Sequence, residues 1–164
     1  MRQFSPNVVG FQLETGARRW YIIGCYLDPD ETSTIESVVS ALKERPRGAA
    51  LLVVGYLNMN LTEPENYWSG TEIAAALTEE GIKDMAAHFL PHQCKWGRER
   101  RTWIMVREGK VFRSRTDYIL GTDRRLFWNV SVWDPRHNTN HYMVLGCLCS
   151  APEREHNKYL TGSK

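Results

Sequence analysis

The feature that most constrains the possible folds of this sequence is an apolar run, Ala49-Ala-Leu-Leu-Val-Val-Gly55. The polar residues Asn58-x-Asn60 follow it. Continuous apolar composition over this length is typical of a strand buried on both faces. A second stretch has the opposite order, because a polar cluster at 138–141 precedes an apolar run at 142–149. Polar groups at the end of a buried strand often carry the chemistry of α/β proteins. We therefore expect function where these two clusters meet.

Strand and helix patterns alternate in the first half of the chain. Residues 19–26 are β-rich, Ser33 and Glu36 form a capping box that opens a helix to about Arg45, and 49–55 is the next strand. Strand, helix and strand with short connections predict a parallel βαβ unit. A second helix is predicted from Ser69 or Thr71 to Glu80, with a further helical turn within 82–89. The residues before 19 carry little pattern and predict an irregular or edge segment.

The second half of the chain is largely β. Strands are predicted at 101–106, 111–114, 116–120, 129–133 and 142–149, with a hairpin turn at Glu108-Gly109. With 164 residues, 42% of them hydrophobic, we expect one globular α/β domain over 1–164 with a polar tail at 151–164. The sequence has no apolar run of transmembrane length and no signal-peptide pattern, so we expect an intracellular protein, nuclear or cytoplasmic, with no membrane partner.

Charge is unevenly distributed along the chain. Residues 1–94 contain seven Lys/Arg against twelve Asp/Glu, whereas 95–136 contain eleven against five. The basic segment also carries aromatic residues, which would let it contact a phosphate backbone and stack on bases. An ordinary solvated strand face with arginine outside fits equally well. On the first interpretation, the candidate nucleic-acid contacts are Arg98, Arg100, Arg101, Arg113 and Arg115.

Two other interpretations are weak. The four cysteines have no C-x-x-C spacing, so buried free thiols are a better prediction than a disulfide framework. His88-x-x-x-His92 with Cys94 suggests zinc, but Pro91 interrupts any helix that would align the two rings. Loops of the P-loop, dinucleotide-binding and nucleophile-elbow types are absent from the sequence.

The remaining motifs are Tyr26, Gly55-Tyr-Leu-Asn58, Arg115-Thr-Asp-Tyr-Ile119 and Thr139-Asn-His141. In their order, spacing and adjacent buried strands they resemble the endonuclease/exonuclease/phosphatase superfamily, in particular the endonuclease domains of non-LTR retrotransposons. In that family one strand ends in Gly-Asp-x-Asn, a later strand carries Arg-x-Asp-Tyr, and Ser-Asp-His leads into the last strand. The resemblance covers roughly 20–148 and implies part of an α/β sandwich, with a mixed sheet and flanking helices.

The resemblance implies phosphodiester hydrolysis and assigns roles to the matching residues. His141, oriented by Asp117, would sit at the scissile phosphate, while Asn58 and Tyr26 would contact phosphate. The family's Asp in Gly-Asp-x-Asn positions or activates water, and its Asp in Ser-Asp-His helps to bind Mg²⁺. Carboxylate oxygens suit Mg²⁺, and charge developing on phosphorus is stabilised by a nearby cation.

The sequence departs from the family pattern at these two aspartates, which are replaced by Tyr56 and Asn140. A neutral phenol cannot act as a carboxylate base near neutral pH. Asn140 keeps an oxygen, and so a weak capacity for metal, but loses the charge that holds Mg²⁺. The resemblance also includes no counterpart of the family's N-terminal strands, with their Asn and Glu metal ligands. We expect Mg²⁺ to bind weakly or not at all.

These departures predict a degenerate, catalytically inactive endonuclease-like domain derived from a retrotransposon, which binds DNA, RNA or a protein partner. The alternative is a residual Mg²⁺-dependent endonuclease that uses His141, Asp117 and Asn140. Since the family's two sheets cover each other's apolar faces, we also expect a homodimer, in which two copies pack face to face or exchange the strand at 142–149.

Overall fold

The computed structural model describes residues 1–16, 18–28, 31, 33–61, 64–66, 70–89, 101–133 and 139–148. The helices are α1 (Ser33–Lys43), α2 (Gly70–Glu79) and α3 (Met85–Phe89). The strands are β1 (Arg2–Ser5), β2 (Val8–Thr15), β3 (Arg18–Tyr26), β4 (Ala50–Tyr56), β5 (Lys83–Asp84), β6 (Trp103–Arg107), β7 (Lys110–Ser114), β8 (Asp117–Gly121), β9 (Phe127–Trp133) and β10 (Met143–Leu148).

The main sheet has six strands in the order β1-β2-β3-β4-β8-β5. Strands β3 and β4 pair in parallel and are joined through α1, which confirms the predicted βαβ unit. The neighbour of β4 on its other side is β8, which runs antiparallel. The sheet is therefore mixed and has helices against it, as predicted for the fold class.

The two faces of this sheet carry different layers. On one face, α1 and α2 pack through Ile35, Val38 and Leu77 against strand residues such as Leu51 and Leu120. On the opposite face lie α3 and an antiparallel ribbon of β9 and β10, which form a second core around Trp20, Leu52, Met85, Phe127 and Val130. Alternate residues of each central strand thus enter different cores, which explains the continuous apolar run of β4.

The N-terminal segment differs from the prediction of an irregular region. Strands β1 and β2 form an antiparallel hairpin, with β1 at the edge of the main sheet, so the edge placement is right. Gly10, inside β2, leaves space for the Tyr21 side chain, because a Cβ there would lie 2.6 Å from the Tyr21 hydroxyl oxygen. This glycine accommodates the neighbouring strand and does not end its own.

Strands β6 and β7 form a separate two-stranded sheet. Glu108 and Gly109 both have positive φ, 51° and 74°, as expected for the predicted hairpin turn. No helix in the part of the chain that the structure describes is long and apolar enough to cross a membrane. The predicted tail at 151–164 and the candidate zinc ligands His92 and Cys94 lie outside the described residues.

Candidate functional site

Three of the predicted site residues come together at one end of the main sheet. In the ladder of β3 and β4, Tyr26 is opposite Tyr56, and in the ladder of β4 and β8, Tyr56 is opposite Asp117. Residues directly opposite each other on adjacent strands project to the same face of a sheet. Strand pairing therefore places Tyr56 between Tyr26 and Asp117.

Tyr26, Tyr56 and Asp117 thus form a row across the sheet end, and His141 reaches this row from the other layer of the fold. It forms an isolated antiparallel bridge with Trp103. On either side of that bridge, the Ile104 amide donates to the Asn140 carbonyl at 2.9 Å, and the Tyr142 amide donates to the Thr102 carbonyl at 2.7 Å. The backbone that leads into β10 is thus fixed against the start of β6, which holds His141 over the sheet end.

Asp117 and His141 form the predicted pair. The His141 Nδ1 atom lies 3.1 Å from Asp117 Oδ2 and 3.3 Å from Oδ1. Since an ionised carboxylate only accepts hydrogen bonds, Nδ1 carries the proton and Nε2 is the ring atom that remains for a ligand. The Thr116 hydroxyl donates to Asp117 Oδ2 at 3.1 Å and further fixes the carboxylate. The His141 and Asp117 side chains are 40% and 23% exposed, so the pair is accessible from solvent.

Thr102 supports this pair from below, although no sequence motif includes it. Its side chain is fully buried, and its Oγ1 accepts hydrogen bonds from the backbone amides of Thr116 and Asp117, each at 2.9 Å. One hydroxyl thereby satisfies two donors at the point where β8 begins. No local pattern marks such a residue, because its partners lie 14 and 15 positions away.

Tyr56 occupies the centre of the site. Its ring stacks on Tyr26, with centroids 5.3 Å apart and planes at 23°, and meets the edge of His141 at 5.2 Å and 70°. Its hydroxyl donates to Asn58 Oδ1 at 2.7 Å. Asn58 has a φ of 54°, a left-handed conformation that asparagine adopts more readily than most residues. The phenol therefore bonds Asn58 and packs against both outer rings.

The residues of this site do not fit a magnesium ion. Among the described residues, no cluster contains three or more His, Cys, Asp or Glu side chains that would hold a metal. Asp117 is the one carboxylate in the row, and it is bonded to His141. Asn140 is exposed, and its backbone carbonyl accepts the bond from Ile104. A hard cation that prefers several charged oxygens lacks that donor set here.

The predicted nucleic-acid arginines fall into three groups. Arg101 and Arg113 are exposed, as that prediction requires. Arg115 departs from it, because its side chain is 7% exposed and its Nη2 donates to Asp84 Oδ1 at 2.8 Å. Stacking of the guanidinium on the Tyr118 ring, with 4.9 Å between Cζ and the ring centre, and pairing with a carboxylate remove this group from the surface. Arg98 and Arg100 lie outside the described residues.

Of the two cysteines that the structure describes, one agrees with the prediction of buried free thiols and the other does not. Cys25 and Cys147 are free thiols, the first buried and the second exposed. Burial raises the pKa of Cys25 to about 12. Cys94 and Cys149 lie outside the described residues.

Comparison with solved structures identifies the fold. No protein-family model matches the chain, and no curated protein matches it in sequence. It superposes on the endonuclease domain of TRAS1, a telomere-specific non-LTR retrotransposon, with a TM-score of 0.62, 20% identity and coverage of 87% of this chain and 63% of that one. For the 3′ phosphatase NExo from Neisseria bound to product DNA hairpin, the TM-score is 0.64, the identity 16% and the coverage 88% and 66%.

An endonuclease/exonuclease/phosphatase family protein from Leptotrichia buccalis also matches, with a TM-score of 0.60, 12% identity and coverage of 87% of this chain and 53% of that one. The chain thus spans 53–66% of the length of these three proteins. The likeness covers most of this chain and agrees with the resemblance found in the sequence motifs. This protein has the endonuclease/exonuclease/phosphatase fold.

Proposed function

We propose that this protein is a degenerate, retrotransposon-derived relative of the endonucleases that binds nucleic acid at the Tyr26–His141 end of the sheet without cleaving it. One observation carries the proposal: Tyr56 stands where the family has an aspartate, and it is bonded to Asn58 and packed between Tyr26 and His141. A phenol in that position supplies no carboxylate base for water. The likeness in fold to the TRAS1 domain supports the proposed origin.

The surface that would receive nucleic acid is built around an exposed aromatic ring. Tyr26 is half exposed, and Tyr56 supports its ring from the inner side. Bases stack on such rings with little sequence preference, at about 1–3 kcal/mol for each base. The Nε2 atom of His141 and the amide nitrogen of Asn58 supply polar groups for phosphate beside that ring. These features fit a single strand whose base stacks while its backbone crosses the sheet end.

Binding is tested by fluorescence anisotropy with a labelled single-stranded oligonucleotide. Tyr26→Ala should weaken binding by about five- to hundredfold, while Tyr26→Phe, which keeps the ring, should stay within about threefold of the parent. Affinity should also fall linearly on a log–log plot against salt concentration if phosphate contacts contribute. Equal affinities for the parent and Tyr26→Ala would exclude this surface as the binding site.

Absence of cleavage is tested by nicking of supercoiled plasmid in Mg²⁺ or Mn²⁺. The parent should be inactive, and so should His141→Ala. The double variant Tyr56→Asp/Asn140→Asp restores both motif carboxylates, and nicking by this variant alone would locate the defect in those two positions. Nicking by the parent that disappears in His141→Ala would overturn the proposal.

A residual Mg²⁺-dependent endonuclease is the second candidate, and the Asp117–His141 pair favours it. That pair keeps the geometry in which an imidazole is held by a carboxylate, with 3.1 Å between Nδ1 and Oδ2. The residues available as metal ligands argue against this candidate, because they do not fit Mg²⁺. Since groups of one catalytic unit act together, losing several of them reduces the rate by orders of magnitude.

We also propose that the protein forms homodimers through the β9–β10 ribbon. Among the described residues, β10 pairs with β9 alone, and its sequence Met143–Leu148 contains no charged residue. Trp133, Met143 and Leu145 are exposed on this ribbon, at 55%, 46% and 42%. A long uncharged edge strand favours pairing with another chain, and two identical uncharged edges do not repel each other. Face-to-face packing and exchange of the strand at 142–149 both fit.

A further inference from the structure

A cavity of about 620 Å³ lies on the face of the main sheet that α1 and α2 cover, toward the β5 edge. Its apolar wall comes from α2, β8 and the residue before β5, through Leu77, Leu120 and Ile82, all buried. Its volume is within the range typical of small-molecule sites, which combine apolar walls with a few placed polar groups.

The charged residues that line this cavity are mostly cationic. Lys83, Arg101, Arg113 and Arg115 face a single described carboxylate, Asp84. Asp84 is engaged by Arg115 at 2.8 Å, whereas Lys83, Arg101 and Arg113 are exposed at the rim. The described lining therefore carries an excess of three positive charges, which favours a ligand with more than one negative charge.

Arg115 supplies a second, independent indication of a ligand. Its side chain is more than nine-tenths buried, and its Nε is a buried donor without a hydrogen-bond partner in the described structure. Buried donors of charged groups are costly to leave unsatisfied. The Asp84 carboxylate accepts a hydrogen bond from Nη2 of Arg115, and the guanidinium lies 4.9 Å from the centre of the Tyr118 ring. A guanidinium that is hydrogen-bonded to a carboxylate on one side can donate to a second anion through its remaining N–H groups.

This cavity is separate from the site of Tyr26 and His141. Asp117 and Tyr118 are adjacent in β8, so their side chains project to opposite faces of the sheet. Tyr118 lines the cavity, and its hydroxyl donates to the Arg115 carbonyl and accepts from the Leu61 amide, each at 3.0 Å. Asp117 faces the row of aromatic rings on the other side.

We propose that this cavity binds a phosphate monoester joined to an apolar or aromatic body, which is the chemistry of a nucleotide. A phosphate monoester carries about 1.5 to 2 negative charges at pH 7 and offers three acceptor oxygens. The phosphate contacts Arg113 and Arg101 at the rim and the Arg115 fork within, while the nucleoside covers the wall of Leu77 and Leu120. Two sources supply this chemistry, a free mononucleotide and the phosphorylated end of a strand.

The proposal is tested by isothermal titration with adenosine 5′-monophosphate, adenosine and inorganic phosphate. The monophosphate should bind at least about tenfold more tightly than either part alone, because both the cationic rim and the apolar wall contribute. Arg113→Gln should weaken monophosphate binding by about tenfold, since it removes a charge-assisted hydrogen bond. Arg115 itself is not substituted, because its loss would remove the cation that pairs with the half-buried Asp84 carboxylate.

Two matched variants distinguish binding in this cavity from general charge attraction and from binding at the Tyr26 surface. Arg107 lies on the same β6–β7 hairpin as Arg113 but does not line the cavity, so Arg107→Gln controls for general loss of positive charge. Tyr26→Ala removes the ring proposed to bind nucleic acid on the other face, and it should leave monophosphate binding unchanged. No binding of the monophosphate by the parent, or equal losses in Arg113→Gln and Arg107→Gln, would overturn the proposal.

The source of the phosphate is resolved with two oligonucleotides of one sequence, bearing either a 5′-phosphate or a 5′-hydroxyl. Tighter binding of the phosphorylated strand that is lost in Arg113→Gln identifies a strand end as the ligand. Equal binding of the two strands, together with Arg113-dependent binding of the monophosphate, identifies a free nucleotide.

Discussion

Thr102 offers a direct test of how the start of β8 is held. In Thr102→Val a methyl group replaces the hydroxyl at nearly constant volume, so packing is kept while the amides of Thr116 and Asp117 lose their shared acceptor. An unsatisfied buried donor costs about 1–3 kcal/mol, which gives about 2–6 kcal/mol for the pair. The free energy of unfolding, measured by urea denaturation, should fall by that amount.

Thr102→Ser is the matched control, because it keeps the oxygen and removes one methyl group. It should cost about 1 kcal/mol, the value for a lost buried methyl group. Amide hydrogen exchange gives a second measurement: in Thr102→Val the Thr116 and Asp117 amides should exchange faster than in the serine variant. If the valine variant is no less stable than the serine variant, the two hydrogen bonds do not hold this strand as we infer.

Three further predictions concern stability, thiol reactivity and assembly. Gly55→Ala should prevent folding, because a Cβ there would lie 1.8 Å from the Cys25 carbonyl oxygen, whereas Gly81→Ala, also at positive φ but in open space, should cost only about 1 kcal/mol by thermal denaturation. Iodoacetamide at pH 8 should modify Cys147 and spare buried Cys25, whose pKa of about 12 leaves roughly one thiolate in ten thousand, and peptide mapping that finds both labelled would contradict this. Light scattering should give a dimer for the parent and a monomer for Leu145→Lys, and a monomeric parent would count against the proposed assembly.

The sequence predicted the centre of the fold well and its periphery less well. The apolar run of β4 requires burial on both faces, and that requirement alone places it within a sheet between two layers. The hairpin of β1 and β2 was not predicted, because an edge strand has weak patterning and Gly10 resembles a strand breaker. The reason for Gly10 is the Tyr21 hydroxyl on the adjacent strand, which local sequence does not reveal.

In the candidate site, too, the residues within motifs were predicted, whereas the contacts between distant segments were not. Tyr26, Asn58, Asp117 and His141 were predicted from motifs and lie together. Arg115 was predicted to contact nucleic acid, yet it is buried and paired with Asp84, which is 31 residues away, and no local pattern predicts that pairing. Sequence motifs describe what a strand end carries, whereas pairings between distant segments depend on packing.

The register that places Tyr56 opposite Asp117 has a consequence for how the protein responds to its ionic environment. An aspartate at position 56 would put two carboxylates on neighbouring strands, where like charges destabilise the pairing unless a cation lies between them. With a phenol there, the pairing of β4 and β8 needs no divalent ion. The folded state should therefore be equally stable in EDTA and in millimolar Mg²⁺, so its abundance would be independent of the supply of that metal.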